Sequence, residues 1–472
     1  MTGVVRTVDE QLLYSKNVNE NPCHMCMPMG GILPFKGIEG AMVIIHGSQG
    51  CSTYMRRHIA EHFNEPVDVG SSSLNEKGTI YGGEANLKQG LDNILRVYNP
   101  KLIGVLTSCL AETIGEDVER ITLDYRKEKG LEDFPVVAVS TPGYGGTQNE
   151  GYLLAVKRII MELARPTEPH NKLNIIIPNI SPADIREIKR ILALLDIEYT
   201  LCPDISYSLD RPLVRPFTKI STGGTKLADI AKMPGAVATI ELGVTASTEE
   251  SPGHYLSEQF GVPCYQVPIP IGVQNTDRFL QALTAITKRD IPDSLLMERG
   301  RLLDCMVDSH KYNFNGRSVI FGEPELVYSL AVTCVENGIF PVVAATGGSD
   351  RLTQLLAPIF EQYKQEIAIL SKADFATIRA KSVELGANIA IGSSDGRYLT
   401  EREGISLVRI GFPIHDRVGG QRLLSVGYTG SAMFLDRVTN TLLGNKYGSY
   451  RRSMYEKYYQ TGNTPQSIGG AV

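Results

Sequence analysis

The chain has 472 residues, 42% of them hydrophobic and 21% charged, with a formal net charge of −5. That balance belongs to a globular protein of roughly three domains, excludes a disordered or fibrous chain, and gives no basic footprint for nucleic acid. No run approaches the roughly 18 apolar residues of a membrane span, and the opening "MTGVVRTVDEQLLYSKNVNENPC" carries Asp9, Glu10 and Glu20 where a secretory signal needs an apolar stretch.

Short β-branched runs alternate with helical periodicity along the chain, the pattern of parallel βαβ units. In the first segment "AMVIIHG", "KLIGVLTS" and "FPVVAVST" are predicted strands, and the text after His46 turns into an amphipathic helix. "SCLAETIGEDVERITLDYRKEKG" reads as a single helix, capped by Ser108 or Thr107 and closed by Gly130 after a basic last turn. A break at "LARPTEPHNK" leads to a second set: strand "KLNIIIPN", helix "SPADIREIKRILALLDI" with Pro182 in its first turn, then strands "GAVATIELG" and "VPCYQVPIP". After the helical "SLLMERGRLLDCMVDSHKYNFNG", a third set runs from "RSVIFGEPELVYSLAVTCVENG" through "FPVVAATGG", "EIAILS", "ANIAIGSS" and "SLVRIGF". The expected architecture is α/β, three doubly wound Rossmann-like domains with mostly parallel sheets, divided at 1–168, 169–314 and 315–472, with ligands at the carboxyl ends of the strands. "VIFGEPEL" lacks the spacing of a dinucleotide or P-loop fingerprint and reads as a tight βα turn.

Eight cysteines without an export signal are too sparse for a disulfide framework and point to a reducing compartment, the cytoplasm. Cys202, Cys264, Cys305 and Cys334 stand in apolar or helical text and read as buried small hydrophobes. Cys26, Cys51 and Cys109 are different, because each stands in a loop or at a helix start after apolar text. The ends of neighbouring parallel strands lie about 4.8 Å apart, so thiols distant in sequence converge at one sheet edge. Three such thiolates suit either zinc or an iron–sulfur cluster. Cys23 and Cys26 also form a C-x2-C pair, with no second pair to complete a zinc ribbon.

The text "CMPMGGILPFKGIEGAMVIIHGSQGCSTYMRRHIAEHFNEPVDVGSSSLNEKGTIYGGEANLKQGLDNI", followed by "SCLAETIGEDV", resembles the β-type subunits of nitrogenase component 1 and their paralogues. "RSVIFGEPELVYSLA" and "RIGFPIHDRVGGQRLLSVGYTGSAMFLDRVTNTLL" are similar to the third domain of that family, so the resemblance covers nearly the whole chain. It implies that Cys26, Cys51 and Cys109 are the β-type subunit's ligands to an interface iron–sulfur cluster. That cluster would be of the 8Fe-7S P-cluster type or a smaller 4Fe-4S one, with Cys51 in the bridging place and Cys23 as an extra ligand to consider. It implies a homologous α-type partner in an α2β2 heterotetramer, and an ATP-dependent iron protein that docks over Tyr81 in "TIYGG". No catalytic residue is expected in this chain, since the family's active-site cofactor sits in the partner.

Departures from the family pattern are specific. Its "TPSFVG" segment, whose serine can ligate an oxidised cluster, reads "TPGYGG" here, with Gly143 at that place and Ser140, Thr141 or Thr147 as alternative hydroxyls. The long N-terminal arm of many molybdenum β subunits is missing. His46 and His62 are expected as packed or hydrogen-bonded histidines, and Glu112 and Asp117 as helix-start carboxylates. Arg56 and Arg57 suit a docking face or a solvated helix face equally. The function implied is an electron-relay subunit of a nitrogenase-like reductase, acting on dinitrogen or another inert small molecule such as the C–S bond of a methylthio-alkane. The alternative is a scaffold subunit for assembly of the nitrogenase cofactor.

Overall fold

The computed structural model describes residues 5–7, 21–361 and 367–460, which leaves Asp9, Glu10 and Glu20 outside the described residues. The β-branched runs form three sheets whose ladders are all parallel. In the first, the order is Gly70–Ser71, Ala41–His46, Leu102–Thr107, Val136–Val139; in the second it is Tyr199–Cys202, Leu173–Ile176, Ala238–Leu242, Cys264–Val267. Both sheets start in the interior and wind first one way and then the other. Each therefore has a switch point, between Ala41–His46 and Leu102–Thr107 in one and between Leu173–Ile176 and Ala238–Leu242 in the other, where the outgoing loops part and leave a crevice. Ala41–His46 and Leu102–Thr107 are buried at every residue, which is why they read as unbroken apolar runs and not as alternating ones.

The third sheet has six strands, centred on Arg317–Gly322, and one of them comes from the other end of the chain. Val5–Thr7 pairs in parallel with Ile367–Leu370, so the N-terminal segment contributes to the last sheet. The second correction concerns 108–130. Two helices stand there, Cys109–Thr113 and Val118–Lys129, because Gly115 takes φ +78° and Asp117 caps the second by accepting from the Arg120 N–H. Gly130 closes the second helix in the left-handed region, as expected.

A helix that no sequence pattern marks, Met27–Lys36, carries two prolines and two glycines in ten residues and is buried from Met27 to Phe35. It lies against the helix Gln148–Leu163 with almost no gap. A Cβ added at Gly30 would fall 1.7 Å from the Gln148 carbonyl oxygen, and one at Gly151 would fall 2.1 Å from the Met27 carbonyl oxygen. The two glycines let the backbones touch, and this contact fixes where the preceding residue, Cys26, emerges.

Buried polar links tie the three sheets together. Asp184 accepts from the N–H groups of Ser425 (2.6 Å) and Val426 (3.0 Å), at the start of the helix Gly427–Tyr455. Glu325 accepts from the N–H groups of Val244, Thr245 and Ala246 at 2.6, 2.8 and 3.1 Å. It thereby fills the loop that leaves Ala238–Leu242 at the second switch point. His62 accepts from the Ile414 N–H at 2.8 Å and stacks edge-on against Phe63 and Phe412. Burial pushes its imidazole down to about 3, so it is neutral, in the packed role expected of it. Among the described residues, no helix is long and apolar enough to cross a membrane.

Candidate functional site

At the first switch point the two outgoing loops each end in a helix that begins on or just before a cysteine. After Ala41–His46 comes the helix Gln49–Phe63 with Cys51 in its first turn, and after Leu102–Thr107 comes Cys109–Thr113 with Cys109 as its first residue. Cys26 reaches the same place as the N-cap of Met27–Lys36, held by an antiparallel bridge to Thr147. Thiols 25 and 83 positions apart in sequence from Cys26 therefore meet at one sheet edge.

Gly143 sits between two of them. A Cβ there would lie 2.6 Å from Cys26 Sγ and 3.1 Å from Cys109 Sγ, so the two sulfurs lie side by side across a residue that has no side chain to separate them. Cys26 is pushed up to about 11, first by burial and then by the neighbouring Cys109 and Cys51 sulfurs. Without a compensating positive charge, three anionic thiolates cannot crowd together here, and Cys26 keeps its proton. Cys109 is exposed and Cys26 and Cys51 half-buried, so the thiol face opens at the protein surface. Among the described residues, no group of three or more His, Cys, Asp or Glu side chains is spaced to hold a metal ion. A single zinc ion thus has no ready cage here, and what the three sulfurs form is an open rim.

Three of the surrounding hydroxyls are already committed, whereas Ser108 Oγ and Thr147 Oγ1 are buried with no hydrogen-bond partner. Ser140 Oγ donates to Glu112 at 2.5 Å, and so does Thr107 Oγ1 at 2.6 Å; Thr141 Oγ1 donates to the Thr107 carbonyl at 2.9 Å. Glu112 is therefore a brace between the Cys109 helix and the 140–143 loop. His46 is buried, 2.9 Å from Ser72 Oγ and 3.4 Å from Glu116, a hydrogen-bonded histidine as expected. Arg57 pairs with Glu61 on its own helix, and Arg56 reaches the Val67 carbonyl and Asp68.

Cys23 does not join the rim. It is buried in the apolar cluster of the third sheet with Val319, Phe321 and Phe375, and burial drives its thiol up to about 12. Burial also pushes Cys202 and Cys334 up to about 12, which fits the inert role read from their apolar text. Tyr81 ends the short helix Glu76–Tyr81 and is 82% exposed, next to Ile80 at 73%, a protruding apolar pair. Sequence reasoning missed Ser48, whose hydroxyl points at Cys51 Sγ, 3.7 Å away. The signal was present in "HGSQGC", a serine at the helix entry three residues before the thiol.

The fold and this rim define an α/β chain of parallel sheets in which three thiols meet at a switch point. The nitrogenase component 1 type oxidoreductase family matches residues 26–443, beginning at the first of the three cysteines. The molybdenum-iron protein beta chain of Methanococcus maripaludis is 36% identical over 456 residues, covering 93% of this chain and 95% of its own. The vanadium-iron protein beta chain of Trichormus variabilis is 32% identical over 438 residues, covering 90% and 94%. A solved chain of nitrogenase Cp1 at pH 6.5 superposes with a TM-score of 0.87 at 32% identity, covering 91% of this chain and 94% of that one. Another, from nitrogenase Cp1 at pH 5, shares the fold at a TM-score of 0.68 with 15% identity. The chain belongs to the nitrogenase component 1 type oxidoreductases, as a β-type subunit of a nitrogenase-like complex.

Proposed function

We propose that this chain holds one half of an interface iron–sulfur cluster of the P-cluster type, with Cys26, Cys51 and Cys109 as its thiolate ligands and a homologous α-type subunit completing the cage in an α2β2 heterotetramer. The observation that carries the reading is the open rim itself: three thiols converging at a switch point, with Cys109 exposed and Cys26 and Cys51 half-buried. The donor set fits, since such clusters are caged by cysteine thiolates, and the bare Gly143 leaves the space beside the Cys26 and Cys109 sulfurs that a ligated metal needs. When bound, an iron–sulfur cluster supplies one-electron storage and transfer, here between an ATP-dependent iron protein and the partner's active-site cofactor. The chain's own residues then have defined tasks. Met27–Lys36 and Gln148–Leu163 fix Cys26 by backbone contact, and Glu112 braces the Cys109 loop. This chemistry belongs in a reducing compartment, the cytoplasm.

The exposed Ile80–Tyr81 pair is the docking contact for the iron protein in this reading. Tyr81→Ala removes an aromatic anchor of the kind that dominates interfaces and is expected to weaken docking by about 1–3 kcal/mol. Electron delivery slows while iron and sulfide content stay unchanged. Altered iron content at unchanged docking affinity would place the contact elsewhere.

The reading as a whole is tested on the complex purified anaerobically with its α-type partner. Iron and acid-labile sulfide are counted per αβ pair, and turnover is followed with the iron protein, MgATP and a reductant. Dinitrogen, acetylene, protons and a methylthio-alkane are offered in turn. ATP-dependent reduction of one or more is expected. A complete cluster inventory with no reduction of any of them overturns the electron-relay role.

A further inference from the structure

Two of the three sulfurs at the first switch point have a hydrogen-bond donor. The Gly143 N–H donates to Cys109 Sγ at 3.1 Å. Ser48 Oγ donates to Cys51 Sγ at 3.7 Å, a normal reach for the larger sulfur atom. Ser48 occupies the N-cap of Gln49–Phe63, where a serine oxygen ordinarily accepts from the second or third helical N–H. It makes no such bond. The residue most suited to capping this helix is turned to the thiol instead.

Gly143 brings bare backbone between two of the sulfurs. A Cβ would sit 2.6 Å from Cys26 Sγ, so that this sulfur would have to turn aside, and 3.1 Å from Cys109 Sγ, a tight contact. With the Cβ absent, the backbone approaches near enough for its N–H to reach Cys109. Of the hydroxyls that could replace a side-chain oxygen, Ser140 is tied to Glu112 and Thr141 to the Thr107 carbonyl, while Thr147 Oγ1 is without a partner.

From this geometry we infer that Ser48 and Gly143 are positioning residues of the interface cluster. They hold the Cys51 and Cys109 sulfurs by donated hydrogen bonds, and so set the cluster's reduction potential from this chain's side. The inference rests on the cluster reading above. Its physical basis is that hydrogen bonds to ligating sulfur stabilise the more negative, reduced state and are among the main levers on the potential.

The test uses the anaerobic α2β2 complex carrying Ser48→Ala, Ser48→Thr or Gly143→Ala, with iron, acid-labile sulfide and the interface cluster's midpoint potential measured for each. Ser48→Ala is expected to keep full iron and sulfide, since no cap is lost, and to shift the potential negative. Ser48→Thr retains the hydroxyl and brings the potential back toward that of the unaltered complex. Gly143→Ala is expected to shift the potential, because its methyl group meets Cys26 Sγ and displaces that sulfur or the Gly143 N–H beside Cys109. A Ser48→Ala complex with full cluster content and an unmoved potential overturns the role of Ser48, and a Gly143→Ala complex with an unmoved potential overturns that of Gly143. An unaltered complex with no interface iron or sulfide defeats the cluster reading itself, which keeps the two failures apart.

Discussion

Cys109→Ala is expected to strip iron from the interface of the assembled complex and reduce ATP-dependent substrate reduction to background, while the partner subunit still acquires its own cofactor. The fold should tolerate the change. Cys109 is an exposed first residue of a five-residue helix, and surface substitutions of this kind usually alter stability by no more than about 0.5 kcal/mol. The effect is therefore one of ligand chemistry and not of unfolding, and it separates relay from scaffold. A scaffold with this substitution has no reductase activity to lose, and its defect shows as failure to mature a precursor for transfer to another enzyme. Metal analysis of the separated subunits, alongside turnover, decides between them. Retained reduction by a Cys109→Ala complex would remove this thiol from the ligand set.

Gly30→Ala is expected to have the largest effect on the fold. The added methyl would meet the Gln148 carbonyl oxygen at 1.7 Å, and the obstructing atom is backbone, which cannot swing aside as a side chain does. Overpacking a tight core costs about 1–3 kcal/mol and sometimes more. Here the helix Met27–Lys36 must lift from Gln148–Leu163 and carry Cys26 with it. Lower thermal stability and lost interface iron should thus appear together. Gly31→Ala is the control: its Cβ meets only side-chain atoms, of Leu106 at 3.1 Å and Thr141 at 3.4 Å, and should cost less. Equal stability of the two variants would show that the backbone contact at Gly30 does not constrain the helix.

The buried strands were legible because their residues are apolar on both faces. Ala41–His46 and Leu102–Thr107 could be read from their unbroken apolar, β-branched content alone. The three cysteines were legible for the same reason: each follows one of these elements or a turn, and parallel topology brings strand ends together. What escaped was whatever depends on contact between distant segments. Met27–Lys36 looks like a loop, since prolines and glycines normally interrupt helices, and only the touching backbone at Gly30 and Gly151 explains its composition. The single helix read at 108–130 overlooked the glycine at 115, whose positive φ breaks it. C-x2-C spacing suggested that Cys23 could join Cys26, but two intervening residues carry the chain from the thiol rim into the third sheet's core. Pairing of Val5–Thr7 with Ile367–Leu370 spans most of the sequence, and no local pattern announces it.

The Glu325 carboxylate, seated on three successive N–H groups where the second sheet's strands diverge, behaves as a ligand tethered to its own receptor. A row of backbone N–H groups at such a crevice is a natural anion-binding cradle. A free phosphate or carboxylate arriving from solution must compete with a group that never diffuses away, and the covalent tether holds Glu325 at a high effective concentration. The middle domain thus keeps the shape of a small-molecule binder with its seat permanently occupied. What the fold gains is a rigid wedge between the second sheet and the third, where an open crevice would have left the two free to part.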